Sequence, residues 1–363
     1  VIERSTFPRR KVCGEYQNSG AVDALERLGV LDAVRAVAQP LTGLRLIAAG
    51  APPVELAFNR AALACERSLL DDVLLAAAVG AGARVVRGRA EELLFEAGRV
   101  TGVAYRDATG ERRALRARYV AGADGAGSLV ARKLGLVRPA ARGPRFAIGG
   151  HYRGFGDLGG CVEMYVGGGA YFALNPLSSE RANVMVVVGA PLLAGWSADI
   201  DDGIRGKAAD LGAGRRSFDG AERIGSRVSV GPLAHRVRAP IAPGAVLVGD
   251  AAGFLNPFTG QGVFLALAGA QAVSAALLGA LRDRSRERTA FAGYAHARTA
   301  DFRARSALCA LVTLLIDVAP LARRTAVRLE RRPAARAALV AALAGLSAPG
   351  RALAPSVLGR LLL

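Results

Sequence analysis

Two short stretches constrain the fold more than anything else in this chain. "RYVAGADG" (118–125) and "VLVGD" (246–250) are apolar runs that each close on glycine and an acid. Apolar runs without polar alternation suit strands buried on both faces, as in a parallel sheet with helices on each side. An acid at the carboxyl end of such a strand lies where open α/β sheets bind ligands, beside helix N-termini whose N–H groups lack partners. The region between is of another kind. From about 145 to 240, "VEMYVGGGAYFALNPL" and "RANVMVVVGA" read as strands of an antiparallel sheet with one solvated or ligand-facing side.

The remaining elements follow from periodicity. "GAVDALERLGVLDAVRAVA" and "RSLLDDVLLAAAV" carry apolar residues at helical spacing, the first with a turn at Gly29 and the second stopping at Gly80 and Gly82. Residues 83–125 alternate short β-rich runs with "EAGR" and "DATGE" turns, a hairpin ribbon. After "VLVGD" a long apolar helix begins, "GVFLALAGAQAVSAALLGALRDR". The expected fold class is α/β: a Rossmann-like nucleotide-binding domain in two parts, 1–144 and 241–300. An inserted antiparallel β-sheet substrate domain, 145–240, separates them, and C-terminal helices, 301–363, follow.

Net charge is +18, and the stretch from Arg282 onward holds 15 Arg against five acids, which gives +10 of it. These arginines alternate with Ala and Leu at helical spacing, without a nucleic-acid motif or aromatic platform. A solvated helix face is expected and no nucleic-acid partner; peripheral contact with an anionic membrane is the alternative for a lipid substrate. Cys13, Cys65, Cys161 and Cys309 form no CxxC pair, and His151, His235 and His296 have no metal-ligand spacing, so no metal site is expected. Cysteine usage fits a reducing cytoplasm. "SALCALVTLLIDVAPLARR" is broken by Asp317 and Pro320 before the ~20 residues that cross a bilayer.

In "GDAAGFLNPFTGQGV" (249–263) the Asp250 carboxylate is placed to accept hydrogen bonds from a polyol, and the glycines let backbone approach a flat ligand. The helix opening near Gly262 aims its positive end the same way. An Asp that merely caps the turn is the plainer alternative.

This segment resembles the GD motif of FAD-dependent aromatic-ring hydroxylases (group A flavin monooxygenases), and its "NPFTGQG" wording especially the geranylgeranyl reductase branch. "GADGAGSLVARKLGL" (122–136) resembles the DG motif of that superfamily. "FPRRKVCGE" (7–15) resembles the reductase-branch segment after the second FAD-domain strand, and "CERSLLDDVLLAAAVGAGARV" the helix whose leading Arg reaches the flavin. The matches follow the family's order over roughly residues 1–300.

The resemblance implies an FAD cofactor, with NAD(P)H as external reductant. It implies that Glu3, with Arg4 beside it, binds the adenosine ribose, as an acid about twenty residues after a glycine fingerprint does. Arg67 lies near the flavin or its pyrophosphate; Asp124 and Gly125 flank FAD, with Ser128 as an N-cap. Gly249, Asp250 and Pro257 belong to the GD loop, Asp250 on the ribityl chain. Gly260, Gln261 and Gly262 face the pyrimidine edge of the flavin. Cys13 is the candidate catalytic residue, since the reductase branch places a cysteine near its active site and Lys11 and nearby arginines favour a thiolate; a buried structural Cys is the alternative. Tyr165, Tyr171 and Phe172 are candidate walls of the substrate pocket, with core packing as the alternative.

One motif departs from the pattern. The family's GxGxxG should precede Glu3; the only match, "GFGDLG" (154–159), runs into a strand and reads as a loop. The expectation is that the native polypeptide carries about thirty further residues before Val1, the first half of a βαβ unit, and that without them FAD is held poorly. Three functions remain open: reduction of an isoprenoid-like or other apolar double bond, NAD(P)H-dependent hydroxylation, or a non-catalytic fragment or binding module. The halogenase "GWxWxIP" pattern is not found around Gly195 and Trp196.

Overall fold

The computed structural model describes residues 1–48, 50–139, 144–196, 199–212, 220–233 and 235–362. Strands β1 (Ile2–Glu3) and β2 (Tyr16–Gln17) precede helices α1 (Ser19–Arg27) and α2 (Leu31–Arg35). A long hairpin, β3 (Gln39–Ala48) and β4 (Val54–Ala64), leads to α3 (Arg67–Gly80). Then come β5 (Val86–Glu96), β6 (Arg99–Asp107), β7 (Arg112–Arg116), β8 (Val120–Gly122), α4 (Leu129–Lys133) and β9 (Val137–Arg138). The middle of the chain forms β10 (Arg145–Arg153), β11 (Cys161–Gly167), β12 (Ala170–Pro176), β13 (Arg181–Gly189), α5 (Ala190–Ala194), α6 (Ile200–Asp210) and β14 (Glu222–Val230). Short strands β15 (Arg236–Val237), β16 (Ile241–Ala242) and β17 (Ala245–Leu247) follow, and the chain ends in α7 (Gly262–Arg282), α8 (Glu287–Asp317), α9 (Ala319–Arg331), α10 (Pro333–Leu343), α11 (Pro349–Ala352) and α12 (Pro355–Leu362).

The fold is α/β, with one large curled sheet of eight strands in the order β14-β10-β13-β12-β11-β3-β4-β2. All its pairings are antiparallel except β11 with β3. Strands β2, β3 and β4 therefore join the sheet assigned above to 145–240, so the first expected domain contributes to both halves. The alternation of "LRLIA" and "VELAF" on this hairpin is what buries one face: Val54 and Leu56 are buried while Glu55 is exposed.

The two acid-ended runs form β8 and β17, which pair in parallel as expected. Beside them, β1 pairs in parallel with β5, and the β5-β6-β7 ribbon continues antiparallel. Among the described residues β1 and β8 each keep one edge without a strand partner. The "GFGDLG" stretch is the β10–β11 connection and opens no helix, as its sequence context predicts.

Both faces of the eight-stranded sheet are covered. One face packs on α6 through Tyr165, Phe172, Leu174 and Ile204; the other packs on α8, α9 and α10 through Met185, Leu308, Ala326 and Ala342. Strand β13 is buried from Ala182 to Val188 and shows no alternation, because it is central and covered twice. Each such fully buried large apolar side chain contributes about 1.5–3 kcal/mol. Helix α7 has the length and apolarity to cross a bilayer, yet here it packs on α1 and α8, with Val273, Ala276 and Ala280 buried.

Candidate functional site

The carboxyl ends of β8 and β17 open on a cavity of about 500 Å³ that runs from the GD loop to the C-terminal helices. It brings together Lys11, Cys13, Tyr16, Arg67, Gly125, Gly249, Asp250, Pro257, Gly260, Gln261, Gly262 and Tyr171.

At the strand ends the groups are polar. Asp250 follows Gly249, whose φ of 61° is left-handed. Burial, opposed by Lys11, Arg67, Arg298 and His235, leaves its carboxyl titrating above the ordinary aspartate range. Its peptide is part of a loop held from behind: His235 Nε2 donates to Ala251 O at 3.0 Å and Arg298 donates to Gly253 O at 3.3 Å. Burial first, and then Arg67, pull the Lys11 ammonium below its ordinary value. Arg67 opens α3 and grips Asp71 with two hydrogen bonds of 2.9 Å.

The segment 11–15 is fixed by a buried polar lattice that periodicity did not reveal. Glu15 is 4% exposed and has a left-handed φ of 56°, which costs a non-glycine residue about 1–3 kcal/mol. Its Oε1 accepts the Arg67 backbone N–H at 3.0 Å, so Glu15 caps α3 where the side chain of Glu66, at the N-cap position, does not. Its Oε2 accepts from His151 Nε2 and from Asn183 Nδ2, both at 2.8 Å. Asn183 Nδ2 also donates to Cys13 O at 3.0 Å, and Asn175 Nδ2 to Gly14 O at 2.9 Å. The Glu15 N–H reaches Cys13 Sγ at 3.3 Å. His151, which from sequence only lacks metal-ligand spacing, thus buttresses Glu15 from behind the cavity wall.

Beyond the GD loop the cavity is apolar. Phe58, Met164, Met185 and Val187 of the large sheet face Val312, Ala326, Leu329 and Leu343 of α8–α10. The C-terminal segment, its arginines expected as a solvated face, also contributes to the cavity wall: Ala322, Thr325, Ala326 and Leu329 point inward at helical spacing while Arg323, Arg324 and Arg331 face solvent.

Several expected site residues lie elsewhere. Tyr165 and Phe172 are not walls of this cavity; they pack edge-on at 5.7 Å on the α6 side of the sheet. Neighbouring strand residues point to opposite faces, so Tyr171 and Phe172 could not both line one pocket. Asp124 spends its carboxylate on the start of α4, accepting from Ser128 Oγ and Leu129 N at 2.6 Å, while Ser128 caps that helix as expected. Glu3 accepts from Ser5 N at 2.7 Å at the end of β1 and, with the exposed Arg4, lies outside the cavity wall. Gln261 lines the cavity but its Nε2 is committed to α10, donating to Ala342 O at 2.8 Å and Leu343 O at 3.1 Å, which ties α10 to the loop. Among the described residues no cluster of three or more His, Cys, Asp or Glu side chains is placed to hold a metal.

The glycines of the loop differ in what they tolerate. Gly260 has φ 61°, and a Cβ there would lie 2.6 Å from the Tyr16 ring; Gly125 has φ 79° with open space around it. Gly260→Ala should therefore lose about 2 kcal/mol or more, from the left-handed backbone plus overlap, whereas Gly125→Ala pays only the backbone cost of about 1–2 kcal/mol. Urea denaturation of the two variants checks this; equal losses would deny the Tyr16 contact.

Residues 1–304 match the FAD binding domain family. The chain belongs to that family. This FAD-binding chain is 32% identical over 213 residues to digeranylgeranylglycerophospholipid reductase 1 of Methanopyrus kandleri, covering 56% of the chain and 54% of the relative. It is 26% identical over 329 residues to conditioned medium factor receptor 1 of Dictyostelium discoideum, covering 78% and 59%. The chain spans about half the length of the two Methanopyrus kandleri reductases it matches. Among solved structures, the flavin-dependent brominase Bmp2 superposes with a TM-score of 0.83 at 21% identity, covering 96% of this chain and 89% of that one. PqsL of Pseudomonas aeruginosa superposes with 0.70 at 21% identity, covering 88% and 90%. At such identity the likeness is one of fold. Family and fold together place the chain in the superfamily of FAD-dependent oxidoreductases and monooxygenases.

Proposed function

We propose that this chain holds FAD at the mouth formed by β8, β17 and the GD loop, and reduces a double bond of an apolar, isoprenoid-like substrate in the adjoining cavity. The observation that carries the reading is the division of one cavity into a charged end and an apolar end. The residues fit the cofactor. No side chain among the described residues bonds the Asp250 carboxylate, which faces the cavity, and a Cβ at Gly125 or Gly262 would meet nothing within 4 Å, leaving backbone open to a ligand.

In this reading Asp250 accepts from the ribityl hydroxyls, and Gln261 and Gly262 at the start of α7 present N–H groups to the pyrimidine edge, the Gly260 N–H being spent on Pro257 O at 2.9 Å. Lys11 and Arg67 offset the cofactor's negative charge, and Glu3 binds the adenosine ribose from the end of β1. The bound cofactor supplies hydride chemistry, reloaded by NAD(P)H. The chain excludes water, orients the substrate along the apolar walls, and delivers a proton.

The named activity of the Methanopyrus kandleri relatives supports an isoprenoid substrate, and so do walls with few groups able to orient a polar ring. The basic outer face of α9 suits a substrate taken from an anionic bilayer; flotation with anionic vesicles at low salt checks that contact. The central test is anaerobic incubation of the FAD-loaded native protein with reductant and geranylgeraniol. Loss of double bonds, seen by mass spectrometry, is expected. Oxygen-dependent NADPH consumption with a hydroxylated product would instead make the chain a monooxygenase.

A further inference from the structure

Reducing a carbon–carbon double bond needs a proton as well as a hydride, and the cavity offers few groups to give one. Arg67 does not release its proton. Lys11, whose ammonium burial and then Arg67 pull below its ordinary value, sits among Arg67, Asp250 and Asp71 at the charged end, where the cofactor's negative charge is placed, and not among the apolar walls. Cys13 Sγ is already an acceptor, from the Glu15 N–H at 3.3 Å and from the Arg67 guanidinium. The Tyr171 hydroxyl is committed to Asn256 Oδ1 at 3.0 Å, with its ring edge-on to Phe258 at 5.0 Å.

Tyr16 differs from all of these. It follows Glu15 on β2, and its backbone is fixed by pairing with Ala64. Its ring is wedged between the Gly260 turn and Phe58, 5.9 Å away, and the surface it retains faces the cavity. Among the described residues its hydroxyl has no hydrogen-bond partner, and the half-buried ring lines the cavity among apolar walls. The hydroxyl is thus free to meet a substrate in the cavity without first giving up a protein partner.

We propose that the Tyr16 hydroxyl is the proton donor for the double-bond reduction; the assignment rests on the reductase reading above. Reduced flavin, when bound, would be the hydride source, its bond to that hydrogen breaking to leave oxidised flavin. As that hydride with its electron pair adds to one alkene carbon, the π electrons move to the neighbouring carbon. They form a C–H bond with the Tyr16 proton while the O–H bond breaks. The phenolate then takes a proton from water at the cavity mouth. Burial holds the phenol above its ordinary value, so it stays loaded at working pH and its base reloads readily.

The test uses the FAD-loaded native protein, reduced without oxygen and mixed with geranylgeraniol in a single turnover. Tyr16→Phe keeps the ring and should slow saturation by about 100-fold or more, the usual worth of a positioned general acid. FAD binding and geranylgeraniol affinity should stay unchanged, and the solvent isotope effect of the wild type should disappear. In the protein before FAD is added, the ultraviolet difference between wild type and Tyr16→Phe should show a phenol ionising above the ordinary tyrosine range. A Tyr16→Phe protein as fast as wild type, or an ordinary ionisation midpoint, overturns the assignment alone. A wild type that holds FAD but saturates nothing overturns the reductase reading and this assignment with it.

Discussion

Glu15→Ala should cost the folded protein about 3–5 kcal/mol, the penalty for breaking a buried, fully engaged charge. Three donors lose their acceptor at once: the Arg67 backbone N–H, His151 Nε2 and one hydrogen of Asn183 Nδ2. The Asn183 bond is buried and the other two are part-buried, and an unmade buried hydrogen bond costs about 1–3 kcal/mol. Relief of the left-handed backbone does not compensate, because alanine is as strained at φ 56° as glutamate. Glu15→Gln keeps the volume and one acceptor, so it should lose about 1–3 kcal/mol. Urea denaturation followed through Trp196, the single tryptophan, measures both. A loss below about 1 kcal/mol for Glu15→Ala would show that the lattice does not hold segment 11–15 in place.

Much of this was legible in the sequence, and the reason lies in local pattern. β8, β17, α3 and α7 each announce themselves through an uninterrupted apolar run or a helical period with a glycine stop, and these elements carry Arg67, Gly125, Asp250 and Gly260 to one place. What stayed hidden depends on long-range pairing. Nothing local says that β2, β3 and β4 cross over to the sheet of β10–β14, or that Glu15 meets His151, 136 residues away. Of the basic stretch from Arg282 onward, expected as a solvated face, Arg323, Arg324, Arg331 and Arg332 are exposed but Arg298 and Arg305 are buried, and the inner stripe of α9 is cavity wall, which depends on what α9 packs against. Tyr171 and Phe172 show the limit from the other side: alternation alone says one of them must point away, and not which.

Asp250→Ala should weaken FAD binding about 10–100-fold, since a hydrogen bond to a charged group is worth about 1.5–3 kcal/mol. The fold should survive, because no described side chain leans on this carboxylate. Asp250→Asn separates the cost of burial from its use. Burial first, opposed by nearby cations, raises the carboxyl's folded-state range above its unfolded value, so the ionised form is the one disfavoured in the cofactor-free fold. Stability from the protonated carboxyl is complete below the unfolded value of about 4 and is lost as pH rises through the folded range. At neutral pH cofactor-free Asp250→Asn should therefore be at least as stable as wild type, and the advantage should vanish in acid. Thermal melts across pH read this directly, and a variant less stable than wild type at neutral pH would reverse the assignment of cause.

The claim beneath all of this is that the ends of β8 and β17 share one flavin. The most direct measurement is the visible absorption spectrum of the native polypeptide, purified and then titrated with FAD. The account predicts a yellow protein that saturates at one FAD per chain and loses the colour in Asp250→Ala. A colourless protein that leaves the fluorescence of added FAD unquenched would contradict it.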